Sequence, residues 1–271
     1  MDYLTKQRVK KLIPEGPMRG TARFLYRKLR LACHQISPKD YKITRSSGDG
    51  SYSLEFNRGE LAGSRIIFPP ADFLDTYFLF SVSEEMPGYF KRKPREADLV
   101  MDVGSFPGDF AVLAASLIGK KVYAFEPDPE NYDYTQEMIY ANGLRGRVEA
   151  IRLGIFNTNG RTMFRSDGVG SRICSGPEGN GICTVELTTI DDFLSDFSGR
   201  KPFIKMDIEG HEIEAVDGAP KTFQNGSEWS IASYHLVNGE QTYHRLERFF
   251  QECGYQTEIV HPRHLTLNAW K

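Results

Sequence analysis

The chain has no apolar run approaching the roughly 18 to 20 residues of a membrane-spanning helix, and no apolar signal core precedes the first charges at its N-terminus. The expectation is a protein made and kept inside the cell, in the cytoplasm. Cysteine is scarce: Cys33, Cys174, Cys183 and Cys253 are too few and too scattered for a disulfide framework, and none makes the C-x-x-C spacing of a structural zinc site. A reducing compartment is the simpler assumption. Nor is there a long disordered stretch; at 271 residues and 40% hydrophobic content the chain can bury one substantial core.

A net charge of -2 conceals an asymmetry. Residues 1–45 carry 12 Lys/Arg against 3 Asp/Glu, whereas the remainder carries 22 against 33. A basic head can mean nucleic acid, an anionic membrane surface or a solvated helix beside an acidic body, and the last is the default. Within the head, Phe24, Leu25, Leu29, Leu31 and Ala32 interleave with Arg23, Arg27, Lys28 and Arg30. That pattern suits a basic amphipathic helix, packed on the body or lying peripherally in a membrane interface.

Beyond the head, Tyr41–Phe56 and Gly63–Phe68 read as short strands separated by turn residues, a small hairpin-like element closed by Pro69-Pro70. The aromatic run Tyr77–Phe80, continuing to Tyr89-Phe90, reads as a helical lid region, and Lys91–Pro94 as a linker. From Asp98 onward, strand-length apolar runs alternate with helix-length segments, which predicts βαβ units and a largely parallel sheet. Strands are expected near 98–103, 121–126, 147–155, 202–207, 229–236, 255–260 and 265–271. Only a few residues join the last two, too few for a crossover helix, so these should pair antiparallel. Gly160–Phe164 and Ile182–Leu187 look like an inserted hairpin; the loop between them (166–181) contains Gly168, Gly170, Gly176, Gly179 and Gly181. Such a loop suits closure over a substrate as well as it suits a flexible surface segment.

Asp102 to Asp109 reads D-V-G-S-F-P-G-D and follows the apolar run Asp98–Met101, so a strand runs into a glycine turn and then a helix. Glycines at such a turn let the backbone approach a ligand, and the new helix offers unpaired N–H groups. Glu126, at the end of the next apolar run and 24 residues past Asp102, is suited to bind both hydroxyls of a ribose. The turn is G-S-F-P-G rather than G-x-G-x-x-G. The bulk of Phe106, the missing third glycine and the acidic Asp102 make a diphosphate less suitable and a cationic ligand such as S-adenosylmethionine more so.

The region from about Asp98 to the end of the chain resembles the FkbM family of S-adenosylmethionine-dependent methyltransferases. The resemblance rests on D-V-G-S-F-P-G-D-F (102–110), F-E-P-D-P-E-N-Y (125–132), Asn142 and above all I-K-M-D-I-E-G-H-E (204–212). It implies a class I methyltransferase fold, α/β and Rossmann-like, with a seven-stranded sheet whose last strand is antiparallel. Residues 96–271 would form this domain, and residues 1–95 an N-terminal basic helical and hairpin extension. It further implies that Asp102, Gly104 and Gly108 surround the methionine part of the cofactor and that Glu126 holds the ribose, with Ser105, Phe106, Pro127 and Asp207 in the same cofactor-binding set. The family usually has Asn where Phe106 stands.

The fourth-strand motif belongs at the carboxyl end of the sheet, where open α/β sheets bind ligands. Alternation directs Lys205 and Asp207 to one side, Met206 and Ile208 to the other. Asp207, Glu209 and His235 are the catalytic candidates. Glu209 is the first choice as base, Asp207 positions the donor or acceptor, and His235 in S-Y-H is a second candidate. Glu212 can equally be an acid that begins a helix. A divalent metal is the other way to acidify a hydroxyl, and Asp207, Glu209 and His235 offer ligands for magnesium or manganese. Spacing alone does not separate ligation from base chemistry.

The acceptor expected from the resemblance is a hydroxyl of a sugar, glycolipid or small metabolite. A nucleic-acid methyltransferase is the alternative suggested by the basic head, but D-I-E-G stands where methyltransferases acting on exocyclic amines of bases carry a D-P-P-Y type motif, so no nucleic-acid partner is expected. A binding module without turnover and a nicotinamide-dependent oxidoreductase are the remaining alternatives.

Overall fold

The computed structural model describes residues 41–58, 61–71, 86–92, 94, 96–166, 170–174, 176, 181–260 and 265–271. Residues 1–40 of the basic head, the aromatic run Tyr77–Phe80 and Pro262 lie outside the described residues, as do parts of the glycine-rich loop.

Three short strands come first: β1 (Tyr41–Arg45), β2 (Tyr52–Phe56) and β3 (Arg65–Phe68), an antiparallel sheet in that order. A short helix, α1 (Met86–Tyr89), precedes the main unit. There, β4 (Leu99–Val103), β5 (Lys121–Phe125), β6 (Val148–Ile151), β11 (Pro202–Met206), β12 (Glu228–Ala232), β15 (Gln256–Val260) and β16 (Thr266–Trp270) form one sheet. Its spatial order is β15-β16-β12-β11-β4-β5-β6. β6, β5, β4, β11 and β12 run parallel, and β16 lies antiparallel between β12 and β15. This order, with its reversed seventh strand inserted beside the fifth, is that of the class I methyltransferase fold, as the sequence implies. The strand expected to run to 236 stops at Ala232; Leu236–Val237 instead pairs with Glu240–Gln241 as a separate small hairpin, β13 and β14.

Alternation along each central strand sorts the core into two faces. On one face Val100, Val122, Val148 and Phe203 pack under α2 (Asp109–Leu117) and α3 (Pro129–Ala141), joined by Leu54, Ile66 and Phe68 of the small sheet and by Tyr89 and Phe90. On the other, Leu99, Met101, Ile204, Met206, Trp229 and Ile231 pack with α4 (Ile190–Leu194), α5 (Glu212–Asp217) and α6 (Thr242–Glu252). α3 starts on Pro129 with Asp128 as its N-cap, the carboxylate accepting from the backbone N–H groups of Glu130 and Asn131.

Asn142 closes α3 and ties the small sheet to that helix. Its Oδ1 accepts from the N–H of Ile67 at 2.8 Å, and its Nδ2 donates to the carbonyl oxygens of Ile67 and Met138 at 2.7 and 2.8 Å. The insertion forms a four-stranded sheet in the order β7-β10-β8-β9, with β7 (Gly154–Ile155), β8 (Gly160–Arg165), β9 (Arg172–Ile173) and β10 (Ile182–Thr188). The expected hairpin is its antiparallel β8–β10 pair. Among the described residues no helix is long and apolar enough to cross a membrane, and Cys174, Cys183 and Cys253 are free.

Candidate active site

The site forms where β4, β5 and β11 end. Gly104 leaves β4 with φ of 77°, and a Cβ there would fall 1.9 Å from the carbonyl oxygen of Asp207. Only glycine permits this approach of two backbones. The N–H groups of Gly104 and Ser105 both donate to the Phe125 carbonyl at 3.0 Å, tying the turn to the end of β5. Gly108 adopts a left-handed conformation and caps α2 without a side chain, while in the first turn the N–H of Phe110 donates to Asp109 Oδ1 at 2.8 Å. Ser105 is buried and its Oγ has no hydrogen-bond partner. The half-buried Phe106 sets its ring edge-on to Tyr134, with centroids 5.9 Å apart.

Asp102 and Lys205 stand side by side on adjacent strands. Both are buried; Lys205 Nζ lies 2.9 Å from Asp102 Oδ1 and donates to the Gly104 carbonyl at 2.6 Å. Burial pushes the Asp102 carboxyl up to about 6 against the opposing pull of Lys205. Lys205 also lies over the rings of Tyr89 and Phe110, at 5.4 and 5.7 Å from their centroids. Tyr89 donates its hydroxyl to Asp207 Oδ2 at 2.8 Å. Lys205 and Asp207 thus face the same side, as alternation predicts.

Glu126, at the end of β5, is 5% exposed, and its Oε1 accepts from the N–H of Asp128 at 3.0 Å. Burial holds its carboxyl well above the usual range, at about 8. Pro127 follows at the start of the connection to α3. The inserted sheet reaches this corner, because Ser171 donates its hydroxyl to Asp128 Oδ2 at 3.0 Å and Asn131 Nδ2 donates to Ser171 Oγ at 3.4 Å.

Asp207, Glu209 and His235, far apart in sequence, converge: one ligand atom from each lies within 4.8 Å of the others. His235 Nε2 is 3.6 Å from Asp207 Oδ1 and 3.8 Å from Glu209 Oε2, while its Nδ1 lies 2.9 Å from Glu212 Oε1. Glu212 is buried at the start of α5, and the same Oε1 accepts from the N–H groups of Ile208 and Gly210 at 3.1 and 3.2 Å. It therefore braces both the loop that carries Glu209 and the imidazole. Glu209 has φ of 56°, a left-handed backbone uncommon for a side chain of its size. Burial pushes its carboxyl up to about 7, with His235 and Arg172 pulling the other way. Burial opposes a charge on His235, but Glu212, Asp207 and Glu209 outweigh it and push the imidazole up to about 10.

The expected cofactor residues therefore gather along the ends of β4 and β5, and the expected catalytic residues beyond β11. Sequence reasoning missed Tyr89, Ser171 and the bracing role of Glu212. Glu212 sits in a quoted motif, but only the fold brings it to His235. Tyr89 comes from a segment before the main sheet and Ser171 from the insertion, so neither has a local signal.

Fold and site together define a methyltransferase-type α/β protein with a glycine turn beside the buried Glu126 and an adjoining carboxylate–histidine cluster. The profile of the FkbM methyltransferase domain matches residues 102–257, and the chain belongs to that family. It is similar to the hexuronic acid methyltransferase AglP of Haloferax volcanii, 28% identical over 131 residues that cover 48% of this chain and 53% of that protein. A 48-residue segment is 50% identical to an uncharacterized protein of Methanocaldococcus jannaschii, covering 18% of each chain. The matches thus span about half of the first relative and less of the second. Among solved structures, P. horikoshii TYW2 in complex with MeSAdo is 14% identical with a TM-score of 0.44, over 86% of this chain and 70% of that one. A precorrin-6y C5,15-methyltransferase from Geobacter metallireducens is also 14% identical, with a TM-score of 0.41 over 68% and 85%.

Proposed function

We propose that this chain transfers a methyl group from S-adenosylmethionine to a hydroxyl oxygen of a sugar, glycolipid or similar small metabolite. The observation that carries the reading is the convergence of Asp207, Glu209 and His235 beside the Gly104 turn, at the carboxyl ends of the strands, where open α/β sheets bind ligands. Family membership supports the cofactor, and the name of the H. volcanii relative supports a sugar acceptor.

The residues present fit that cofactor. Ser105 offers an unpartnered buried hydroxyl at the glycine turn, and Glu126 offers a carboxylate to the ribose hydroxyls. Asp102 and Lys205 set the charge beneath the turn. S-adenosylmethionine supplies a methyl carbon on a sulfonium, so transfer is an in-line displacement: the acceptor oxygen forms the new C–O bond as the electron pair of the C–S bond returns to sulfur. The protein's part is to align the hydroxyl and draw off its proton, and Asp207, Glu209 and His235 are the groups positioned for it.

The test is calorimetric titration of the purified protein with S-adenosylmethionine and separately with NAD, followed by mass spectrometry of uronic acids, neutral sugars and glycolipids incubated with the cofactor. We expect S-adenosylmethionine alone to bind and an acceptor hydroxyl to gain one methyl. Cofactor binding without product from any acceptor would reduce the protein to a binding module, and binding of NAD instead would overturn the reading.

A further inference from the structure

We infer that Asp207, Glu209 and His235 bind one divalent metal ion, through Asp207 Oδ1, Glu209 Oε2 and His235 Nε2, with Glu212 as the carboxylate that orients the histidine. The distances point this way first. At 3.6 and 3.8 Å from the two carboxylate oxygens, Nε2 is too far for hydrogen bonds. Ligand atoms each about 2.0 to 2.2 Å from a shared ion lie roughly 3 to 4 Å apart. Rotation of the Glu209 side chain, 35% exposed, closes what remains of the 4.8 Å spread.

Burial supplies an independent argument. The His235 side chain is 6% exposed, and neither its Nε2 nor Asp207 Oδ1 has a hydrogen-bond partner. Buried polar atoms without partners are rare and call for a ligand or a water. The two atoms lie 3.6 Å apart. Tyr89 takes the other oxygen of Asp207, and Glu212 takes the other nitrogen of His235, so each ligand is oriented from behind. A carboxylate behind a metal-binding histidine is the usual outer-shell arrangement.

Charge completes the case. Asp102, Asp207, Glu209 and Glu212 gather around the carboxyl end of β11, with the Lys205 ammonium against Asp102 and Arg172 acting on Glu209 from the inserted sheet. Ligation through Nε2 requires the neutral imidazole, and with that proton gone the four carboxylates outnumber the two remaining cations, a surplus that a dication offsets. Two carboxylates and one imidazole suit Mn2+ or a similar first-row ion, with Mg2+ as a weaker competitor. Glu209 sits at the open side, leaving further positions for water and an acceptor hydroxyl. Coordination would acidify that hydroxyl so that its proton passes to water at the open side of the site, which makes Glu209 a ligand rather than the free base. This last role rests on the proposed methyl transfer, whereas binding of the ion does not.

The experiment uses the full chain, stripped with a chelator and titrated with Mn2+, free ion being followed by electron paramagnetic resonance. One Mn2+ per chain should bind, with nitrogen modulation in the bound spectrum from the imidazole. His235→Gln should abolish that modulation and weaken binding at least tenfold. Glu212→Gln, which removes no ligand, should weaken it about 10- to 100-fold. Glu209→Gln guards against a folding defect, since its side chain is partly exposed; it too should weaken binding tenfold. No Mn2+ bound at millimolar concentration, or binding unchanged in His235→Gln and Glu209→Gln, overturns the inference. Calorimetry with S-adenosylmethionine on the same samples keeps the two readings apart: cofactor binding without Mn2+ sinks only the metal site, and Mn2+ binding without cofactor sinks only the methyltransferase.

Discussion

Lys205 and Glu126 are the residues whose burial makes the sharpest demands. Lys205 compensates Asp102, which is 0% exposed, and removing one partner of a buried pair leaves the other charge uncompensated. Lys205→Met should therefore cost about 3–5 kcal/mol of stability, measured by urea denaturation. Asp102→Asn combined with Lys205→Met should recover much of that loss, because no lone buried charge remains. Equal loss in single and double variants would show that packing, not charge, makes the contribution. Glu126 differs because its raised carboxyl lies on the ligand side. With a folded value of about 8 against 4.5 in the open chain, it makes the unliganded protein less stable as pH rises between those values. Ribose hydroxyls donating to the ionised carboxylate would lower that value in the complex, so binding releases a proton. S-adenosylmethionine affinity should then rise with pH and level off above about 8. Calorimetry in buffers of different ionisation enthalpy reads the released proton directly. Glu126→Gln should lose this component and bind at least tenfold more weakly, consistent with about 1.5–3 kcal/mol for a hydrogen bond to a charged group.

At the scale of elements, what was legible in the sequence is what has a local cause. β4 and β11 are short, largely apolar runs, with Asp102 one residue before the end of the first and Asp207 just past the end of the second, and the positive φ of Gly104 and Gly108 is what a glycine turn requires. The antiparallel end of the sheet followed from a connection too short for a helix. The end of the fifth strand was misread because Ser-Tyr-His-Leu-Val continues a strand-like pattern past Ala232. Backbone bonding decides otherwise: the carbonyls of Ser233 and His235 accept from the N–H groups of Tyr243 and Thr242 at the start of α6, and Leu236–Val237 pairs with Glu240–Gln241 as the small β13–β14 hairpin. That turn gives His235 its place against Glu212. The pairing of Lys205 with Asp102 required knowing that β11 lies beside β4, a fact of sheet order that neither strand records. The four-stranded inserted sheet was visible only as its longest pair, because β7 and β9 have two residues each.

For the whole molecule, the question is whether the N-terminal sheet is an appendage or part of one cooperative unit. Ile66 is fully buried, in a cluster that also contains Phe110, Ala114 and Met138 of the main unit. The junction is bonded as well as packed: Asn142 engages both backbone groups of Ile67, and Tyr134 donates its hydroxyl to the Pro69 carbonyl at 2.8 Å. These contacts predict that the small sheet does not unfold alone. Ile66→Ala should cost about 2–5 kcal/mol as a large-to-small core change, and the loss should appear in the transition of the entire chain. The chain's two tryptophans, Trp229 and Trp270, both belong to the large sheet, so their fluorescence reports that sheet and not the site of substitution. A cooperative molecule shifts its fluorescence and circular-dichroism transitions together. If the fluorescence midpoint of Ile66→Ala stays at the wild-type value while an earlier circular-dichroism change develops, the small sheet melts as a separate unit and its bonds to α3 carry no stability across the junction.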